Sequence, residues 1–582
     1  MVLPPKLYQC ELERHVITMC GIFGGIGITA AEAEKSLNLI LRGTDGITIC
    51  ENDRVVIGSR RHLVKESYKV GVMPDQSDQP YSSDDGKVHL VFNGELYNFD
   101  IIRSGLSEAG SRFLTEGDTE VFLRLYEKYG HDFVKRREID SLFAIGIHDE
   151  NRNKLIITRD WPGRVPLFYY YNEEQRVFVF SSELKGLRAL GWVPMAEPIE
   201  LIPGDIMTLD IASFELHSEA YFRPKPVKTT RPLLEVGADL HRILDQSAKH
   251  RTMGDVPICT MLSGGIDSLM TTYYVFSNID FNNQAYTPKS YVFAVENAVS
   301  EDVRRAKIAA EGFQELGLQL REIRASAESV VEDMPDIVQM FETRQIKALS
   351  VYPLPIYYYL APVMRDDGFK VTIGGHGVDE LLGAYTSWKE LNKPHKVQMN
   401  VKSRLAFMAA IYDNMLRRAS IIFMNRGPIE ARFPFLCVDV CEYMLGIDSK
   451  WLQLTAETGE ILLTLIEERA GPRSMWTEQL MTIYDYLVGY LDNNGAHPDG
   501  ADMFLQTEIE KLFWKLPLIV AGMCAVSESF LPFHLLFNAK LRGQHGAGIT
   551  DLEPMIVNRY SSYGTTDAEI YQQFVREAYS LP

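Results

Sequence analysis

Between residues 20 and about 215 the apolar positions fall into short alternating or continuous runs with turn-forming residues between them. Runs at 54–58, 88–92, 143–147, 154–158 and 177–180 are rich in Val, Ile, Phe and Leu, a pattern that predicts β-strands. Helical spacing is confined to 31–41 and 118–129, the second opened by Asp118 or Thr119 as a cap. A strand-rich α+β layered domain is therefore expected over 20–215.

The segment 223–232 is polar and carries three prolines, which marks 216–232 as a linker. Beyond it the pattern changes. Residues 233–250 read as helix, 258–262 as a buried strand and 267–276 as helix. A strand at 289–295, a helix at 302–316 and a strand at 369–373 follow. Strands alternating with helices predict an α/β domain over 233–582, with a parallel sheet covered on both faces and a largely helical end from about residue 401. Internal repeats and low-complexity tracts are absent.

A chain of 582 residues is too long for one core, which agrees with this division. Its 59 basic and 78 acidic side chains give a net charge of −19 with no basic stripe. That argues against nucleic acid or an anionic membrane as partner, whereas backbone amides can still hold small anions. The 7 cysteines are odd in number, scattered and without zinc-type pairing, as in a reduced, cytoplasmic protein. The most apolar run, 516–526, is too short to span a bilayer and contains Pro517. Residues 1–19 intersperse charged side chains and lack the apolar core of a secretion signal.

Cys20, in Met19-Cys20-Gly21-Ile22-Phe23-Gly24, can serve as a nucleophile if a base stands beside its thiol. A free amine on Cys20 itself would be that base once residues 1–19 are gone. Cleavage of a propeptide or initiation at Met19 with methionine removal would achieve this, and the second route is expected. A buried structural cysteine opening a strand is the other reading. The Asn93 side-chain amide and the Gly94 N–H can converge as oxyanion donors, although Asn-Gly is also a hairpin signal. Arg61 and Asp118 would suit the carboxylate and ammonium of a free amino acid, although Asp118 is also a helix cap.

In the second half, Ser263-Gly264-Gly265-Ile266-Asp267-Ser268 joins an apolar strand to a helix. Its glycines let N–H groups approach a phosphate at a helix N-terminus. It is not a Walker loop, because the G-x-x-x-x-G-K-[ST] spacing is missing.

The first half resembles the class II, N-terminal-nucleophile glutamine amidotransferases. The resemblance rests on Cys20-Gly21-Ile22-Phe23-Gly24, Arg42-Gly43-Thr44-Asp45, Asn93-Gly94-Glu95-Leu96-Tyr97-Asn98, Gly117-Asp118-Thr119-Glu120, Arg159-Asp160 with Pro166-Leu167-Phe168-Tyr169, and Ser182-Glu183-Leu184-Lys185, in the family's order. It implies an Ntn-type αββα glutaminase with Cys20, Asn93 and Gly94 catalytic, and Arg61, Asn93, Glu95 and Asp118 around glutamine. The family usually has proline at Thr44 and Arg-Leu at Arg61-His62.

The glycine loop resembles that of the ATP pyrophosphatases. Gly374-Gly375-His376-Gly377-Val378-Asp379-Glu380-Leu381 and Glu430-Ala431-Arg432-Phe433-Pro434-Phe435-Leu436 resemble asparagine synthetase segments. This implies ATP held by Leu262, Ser263, Gly264, Gly265, Asp267, Ser268, Val295, Gly374 and Gly375, with Mg²⁺ on Asp267 and Asp379. The family's Glu-Lys-x-x-x-Arg helix is matched by Glu510 to Lys515, which implies Lys511 as an ATP ligand, and a later loop implies Lys540 as a catalytic cation. Residues 453–505 would then be an insertion. Lys347, Asp379 and Glu380 would hold the acceptor. Two departures bear on that acceptor: His376 stands where the family has glutamate, and Lys347 where it has arginine, so aspartate is expected to be a poor substrate.

The resemblance thus implies a glutamine-dependent ligase that adenylates and amidates a carboxylate acceptor. Rival readings are a specialised amide-forming enzyme with a non-aspartate acceptor and a catalytically silent regulatory homologue. A homodimer is left open.

Overall fold

The computed structural model describes residues 20–581 apart from 42–45, 53, 62–78, 254–255, 281–285, 345–350, 385–403, several positions within 407–415, 501, 527–532 and 538–545. The leader 1–19, the Arg42–Asp45 motif, Lys347 and Lys540 lie outside the described residues.

The N-terminal half contains strands β1 (Gly21–Ile26), β2 (Ile47–Asn52), β3 (Val55–Arg60), β4 (Tyr81–Ser82), β5 (Val88–Leu96), β6 (Ser141–Asp149), β7 (Lys154–Arg159), β8 (Phe168–Asn172), β9 (Val177–Ser181), β10 (Ile199–Glu200), β11 (Asp205–Asp210) and β12 (Leu216–Ala220). They form two antiparallel sheets, ordered β10-β8-β9-β1-β3-β2 and β12-β11-β7-β6-β5-β4. Side-chain alternation decides how they stack. Val91, Leu142, Ala144 and Ile157 of the second sheet meet Ile22, Ile26, Val55 and Ile57 of the first in a sealed core. The opposite face of the second sheet, with Leu90, Phe92, Phe143 and Ile145, lies under helices Phe99–Glu108 and Asp118–Tyr129. Helix Ala30–Leu39 covers the first sheet from outside. The layers run αββα.

The C-terminal half is built on β13 (Ile258–Met261), β14 (Lys289–Val295), β15 (Gln319–Ala325), β16 (Val371–Ile373) and β17 (Glu430–Arg432), all parallel and ordered β15-β14-β13-β16-β17. The chain leaves central β13 toward β14 and β15, then returns on the other side as β16. Connections therefore diverge between β13 and β16, the place where an open α/β sheet forms a ligand crevice at its strand C-termini.

The expected helix at 233–250 is Leu233–Arg251, and that at 267–276 is Ile266–Ser277. The one expected over 302–316 ends early: helix Glu301–Gly312 passes into a 3₁₀ turn, Gln314–Leu316, closed by Gly317 at φ 69°. Glycine takes this left-handed conformation at no steric cost. Residues 453–505 contain helices Ala456–Arg469 and Glu478–Asp492, packed on one another. The apolar run 516–526 forms helix Leu516–Val526 against Leu233–Arg251. Among the described residues no helix is long and apolar enough to cross a membrane.

The proline-rich segment is pinned down. The Val227 N–H donates to the Glu442 carbonyl at 2.9 Å, and the Thr229 N–H to the Gly446 carbonyl at 3.2 Å. A Cβ on Gly446 would stand 1.8 Å from the Val227 carbonyl oxygen, so the approach requires glycine. Across the two halves, Arg251 grips Asp140 with two hydrogen bonds of 2.8 and 2.7 Å, and His250 Nδ1 lies 3.0 Å from the same carboxylate. The guanidinium carbons of Arg251 and Arg432 lie 4.6 and 5.5 Å from the centroid of Tyr97.

Candidate active sites

Cys20 is half-buried and leads directly into β1. Because β1 pairs with β3 with Gly21 opposite Arg60, one further step of the register sets Cys20 opposite Arg61. Asn93 is fully buried on β5. Ser182 ties these elements together. Its Oγ accepts the Ile22 N–H at 2.9 Å, its own N–H donates to the Ile22 carbonyl at 2.9 Å, and Asn93 Nδ2 lies 3.2 Å from that Oγ. A hydroxyl that already accepts one N–H has a hydrogen of its own to place. Turning the Asn93 amide over, so that Oδ1 receives it, leaves Nδ2 to donate elsewhere.

Gly94 sits where β5 presses on β6: a Cβ there would lie 2.0 Å from the Leu142 carbonyl oxygen. Glu95 is buried on the same strand. The cap expected at Asp118 or Thr119 is instead Gly117. The Asp118 carboxylate turns away from its own helix and accepts the Leu96 N–H at 2.9 Å, which fastens the end of the Asn-Gly-Glu-Leu segment. Asn-Gly is thus mid-strand, and the hairpin alternative does not apply.

At the crevice between β13 and β16 a cavity of about 200 Å³ is lined by Ser263, Gly265, Asp267 and Ser268 from the glycine loop. Gly375, His376, Asp379 and Glu380 come from the segment after β16, together with Leu262, Arg305, Tyr357 and Lys515. Gly264 has φ 73°, and a Cβ there would stand 2.4 Å from the Arg305 backbone. Gly375 packs equally tightly, 2.8 Å from the Asp267 carbonyl oxygen by the same construction. Ser268 Oγ lies 3.2 Å from the Ser263 N–H and completes the loop. Of the remaining expected residues, Val295 and Gly374 do not line the cavity. The Val295 N–H donates to Ala547, and the Gly374 N–H to Arg432.

Lys515 is the residue that sequence reasoning passed over. Its buried ammonium contacts Asp267 and lies 2.8 Å from Asp379 Oδ1. Lys511, expected near ATP, instead pairs with Glu508 one turn away on its own helix. Helix Met503–Phe513 ends just before Lys515, and the break turns that side chain into the cavity. The signal lay in the terminal basic position of the Glu510–Lys515 match. Asp267 and Asp379 meeting on one ammonium provide the converging oxygen donors a hard cation such as Mg²⁺ takes. On the acceptor side, His376 Nε2 lies 2.9 Å from the Tyr357 hydroxyl, and its ring stands edge-on to Phe433 at 4.9 Å.

The two candidate centres thus lie on two different folds, one at Cys20 in a layered β-sandwich half and one in the glycine-loop crevice of an α/β half. Residues 19–201 match the family described as glutamine amidotransferase domain, and residues 239–406 that described as asparagine synthase. Asparagine synthetase B [glutamine-hydrolyzing] of Escherichia coli is 28% identical over 437 residues, 72% of this chain and 73% of that protein. The asparagine synthetase [glutamine-hydrolyzing] of Asparagus officinalis is 25% identical over 455 residues, 76% of this chain and 72% of that protein. A probable asparagine synthetase of Dictyostelium discoideum is 25% identical, covering 74% and 76%. The chain is thus similar to glutamine-hydrolysing asparagine synthetases over about three quarters of its length, with a glutamine amidotransferase match in its first half and an asparagine synthase match in its second. A solved glutamine phosphoribosylpyrophosphate amidotransferase from B. subtilis overlays 52% of the chain at 17% identity and a TM-score of 0.30, too loosely to add to the fold described above.

Proposed function

We propose that the chain is a glutamine-dependent, ATP-consuming ligase that converts an acceptor carboxylate to its amide, with residues 20–215 as glutaminase and 233–582 as synthetase. The Cys20 thiol, deprotonated by its own freed amine, attacks the glutamine side-chain amide and forms a thioester as ammonia leaves. Asn93 Nδ2 and the Gly94 N–H stabilise the oxyanion, and Arg61 and Asp118 hold the α-carboxylate and α-ammonium. Water then hydrolyses the thioester to glutamate.

In the cavity, the acceptor carboxylate attacks the α-phosphorus of ATP, and pyrophosphate leaves over the Ser263–Ser268 loop. Asp267 and Asp379 are the residues that would hold Mg²⁺, whose charge offsets that of the departing pyrophosphate. Lys515 adds a positive charge at the same place, and Lys540 remains a proposed second cation. Ammonia attacks the acyl-adenylate and displaces AMP.

The observation that carries this reading is the cavity at the strand-order switch, where loop, Asp267, Asp379 and Lys515 converge. The His376–Tyr357–Phe433 group favours an acceptor other than aspartate, because an imidazole and an aromatic wall stand where an acid is usual in the family. The test is AMP formation across a panel of carboxylic acids, driven by glutamine or by ammonium salts. Cys20→Ala should lose the glutamine-driven reaction and keep the ammonium-driven one. A folded Cys20→Ala protein that loses both equally, or the absence of AMP formation with every acid, rejects the reading.

A further inference from the structure

The register places a second polar cluster at the end of the sandwich remote from Cys20. Gly21, Arg60 and Ile47 stand level at one end of the first sheet, and Ile26, Val55 and Asn52 at the other. Near that far end, His89 of β5 pairs directly across with His148 of β6. Both rings are buried, stacked with centroids 5.9 Å apart, and Glu150 follows at the solvent rim. One donor atom from each of His89, His148 and Glu150 lies within 4.8 Å of the other two.

His89 Nε2 faces the Glu150 carboxylate, 3.4 Å from Oε1. Asn52 Nδ2 lies 2.6 Å from His89 Nε2 and 2.8 Å from Glu150 Oε1. Only an N–H group can serve a carboxylate oxygen there, because an amide oxygen would be repelled. In the neutral tautomer with its proton on Nδ1, the same nitrogen donates to the lone pair of Nε2. Ser82 Oγ then accepts the ring proton from Nδ1 at 2.8 Å. A neutral imidazole with its second nitrogen held by a protein oxygen is the form that ligates a metal. The Asn52 N–H group thus occupies the point on which an imidazole lone pair and a carboxylate oxygen converge.

We propose that His89, His148 and Glu150 bind a divalent transition-metal ion of the zinc type, at a site separate from both active centres. Three ligands of this kind suit zinc, with water or the Asn52 side-chain oxygen as fourth. Side-chain rotations of about an ångström bring the donors to the roughly 3.4 Å spacing of a tetrahedral zinc site. Binding displaces the Asn52 N–H group, and with the Asn52 oxygen as fourth ligand the ion ties β2 of one sheet to β5 and β6 of the other.

The test uses full-length, tag-free protein, stripped with chelator and titrated with Zn²⁺ or Co²⁺ in millimolar Mg²⁺, which saturates the carboxylate pair of the cavity. One equivalent should bind, with the intense visible absorption of tetrahedral Co²⁺ and a rise in Tm. Glu150→Gln, at the exposed rim, and His148→Gln should each weaken binding at least ~10-fold. Asn52→Asp, which adds an anionic ligand, should tighten it, an outcome misfolding cannot imitate. Lack of the tetrahedral spectrum in wild type, or affinities unmoved by Glu150→Gln and Asn52→Asp, overturns the proposal.

Discussion

Lys515 offers the sharpest test of how the crevice works, because a single buried ammonium serves two carboxylates. Lys515→Met keeps the length and apolar stem of the side chain and removes only the charge. At the 2.8 Å separation from Asp379, a pair attracts by about 6 kcal/mol at an effective dielectric constant near 20. Desolvation offsets part of this, and removing one partner of a buried pair typically costs about 3–5 kcal/mol. Asp267 and Asp379 would then face one another without the Lys515 ammonium between them. Magnesium should restore about 2.7 kcal/mol at a hundredfold excess over its Kd, so the variant should be far more magnesium-dependent in thermal unfolding than the wild type. In ammonium-driven AMP formation, the loss of a charge aimed at the leaving pyrophosphate should lower kcat about 10²–10³-fold, with a smaller change in KM for ATP. Lys511→Met, which breaks only the pair with Glu508, should stay within about twofold. Glutamine hydrolysis should be unchanged in both. Full AMP formation in Lys515→Met, or a larger loss in Lys511→Met, would refute the assignment.

Burial alone would raise the Asp140 carboxyl, but the Arg251 guanidinium and then His250 hold it well below the usual carboxylate range. A depressed folded-state pKa gives stability that is complete above the unfolded value of about 3.9 and is lost as pH falls from there toward the folded value. Asp140→Asn should therefore cost about 3–5 kcal/mol near neutrality and flatten the acid limb of the unfolding profile; an unchanged profile would contradict the linkage. His376→Glu should raise kcat/KM for aspartate, measured as AMP formation, and no gain with any acidic acceptor would remove His376 from acceptor selection.

Elements whose signal is local were legible in the chain. The expected strand at 289–295 is Lys289–Val295, and the helix at 118–129 is Asp118–Tyr129. The strand expected over 369–373 shrinks to Val371–Ile373, because the Phe369 N–H turns back to the Met364 carbonyl of the preceding helix. The pairing of Ser182 with both Ile22 and Asn93 spans 160 and 89 positions, so no spacing rule could reveal it. Lys515 was hidden for another reason: a helix was assumed to continue through the motif, and where it stops decides which lysine faces the cavity. The clasp of Arg251 on Asp140 joins residues 111 apart in two separately read halves, and neither half alone predicts it.

The two arginines that face Tyr97, Arg251 and Arg432, are both fully buried, and Arg432 belongs to β17, the outermost strand of the parallel sheet. An aromatic ring of the glutaminase half thus roofs two guanidinium groups of its partner. Excising that half would give the synthetase half two wet guanidinium groups where it now has an aromatic roof. The halves are therefore poor candidates for trading as independent modules. A recombinant fragment starting at the proline-rich segment should be prone to aggregation, whereas one that carries residues 93–140 in trans has a surface to dock on.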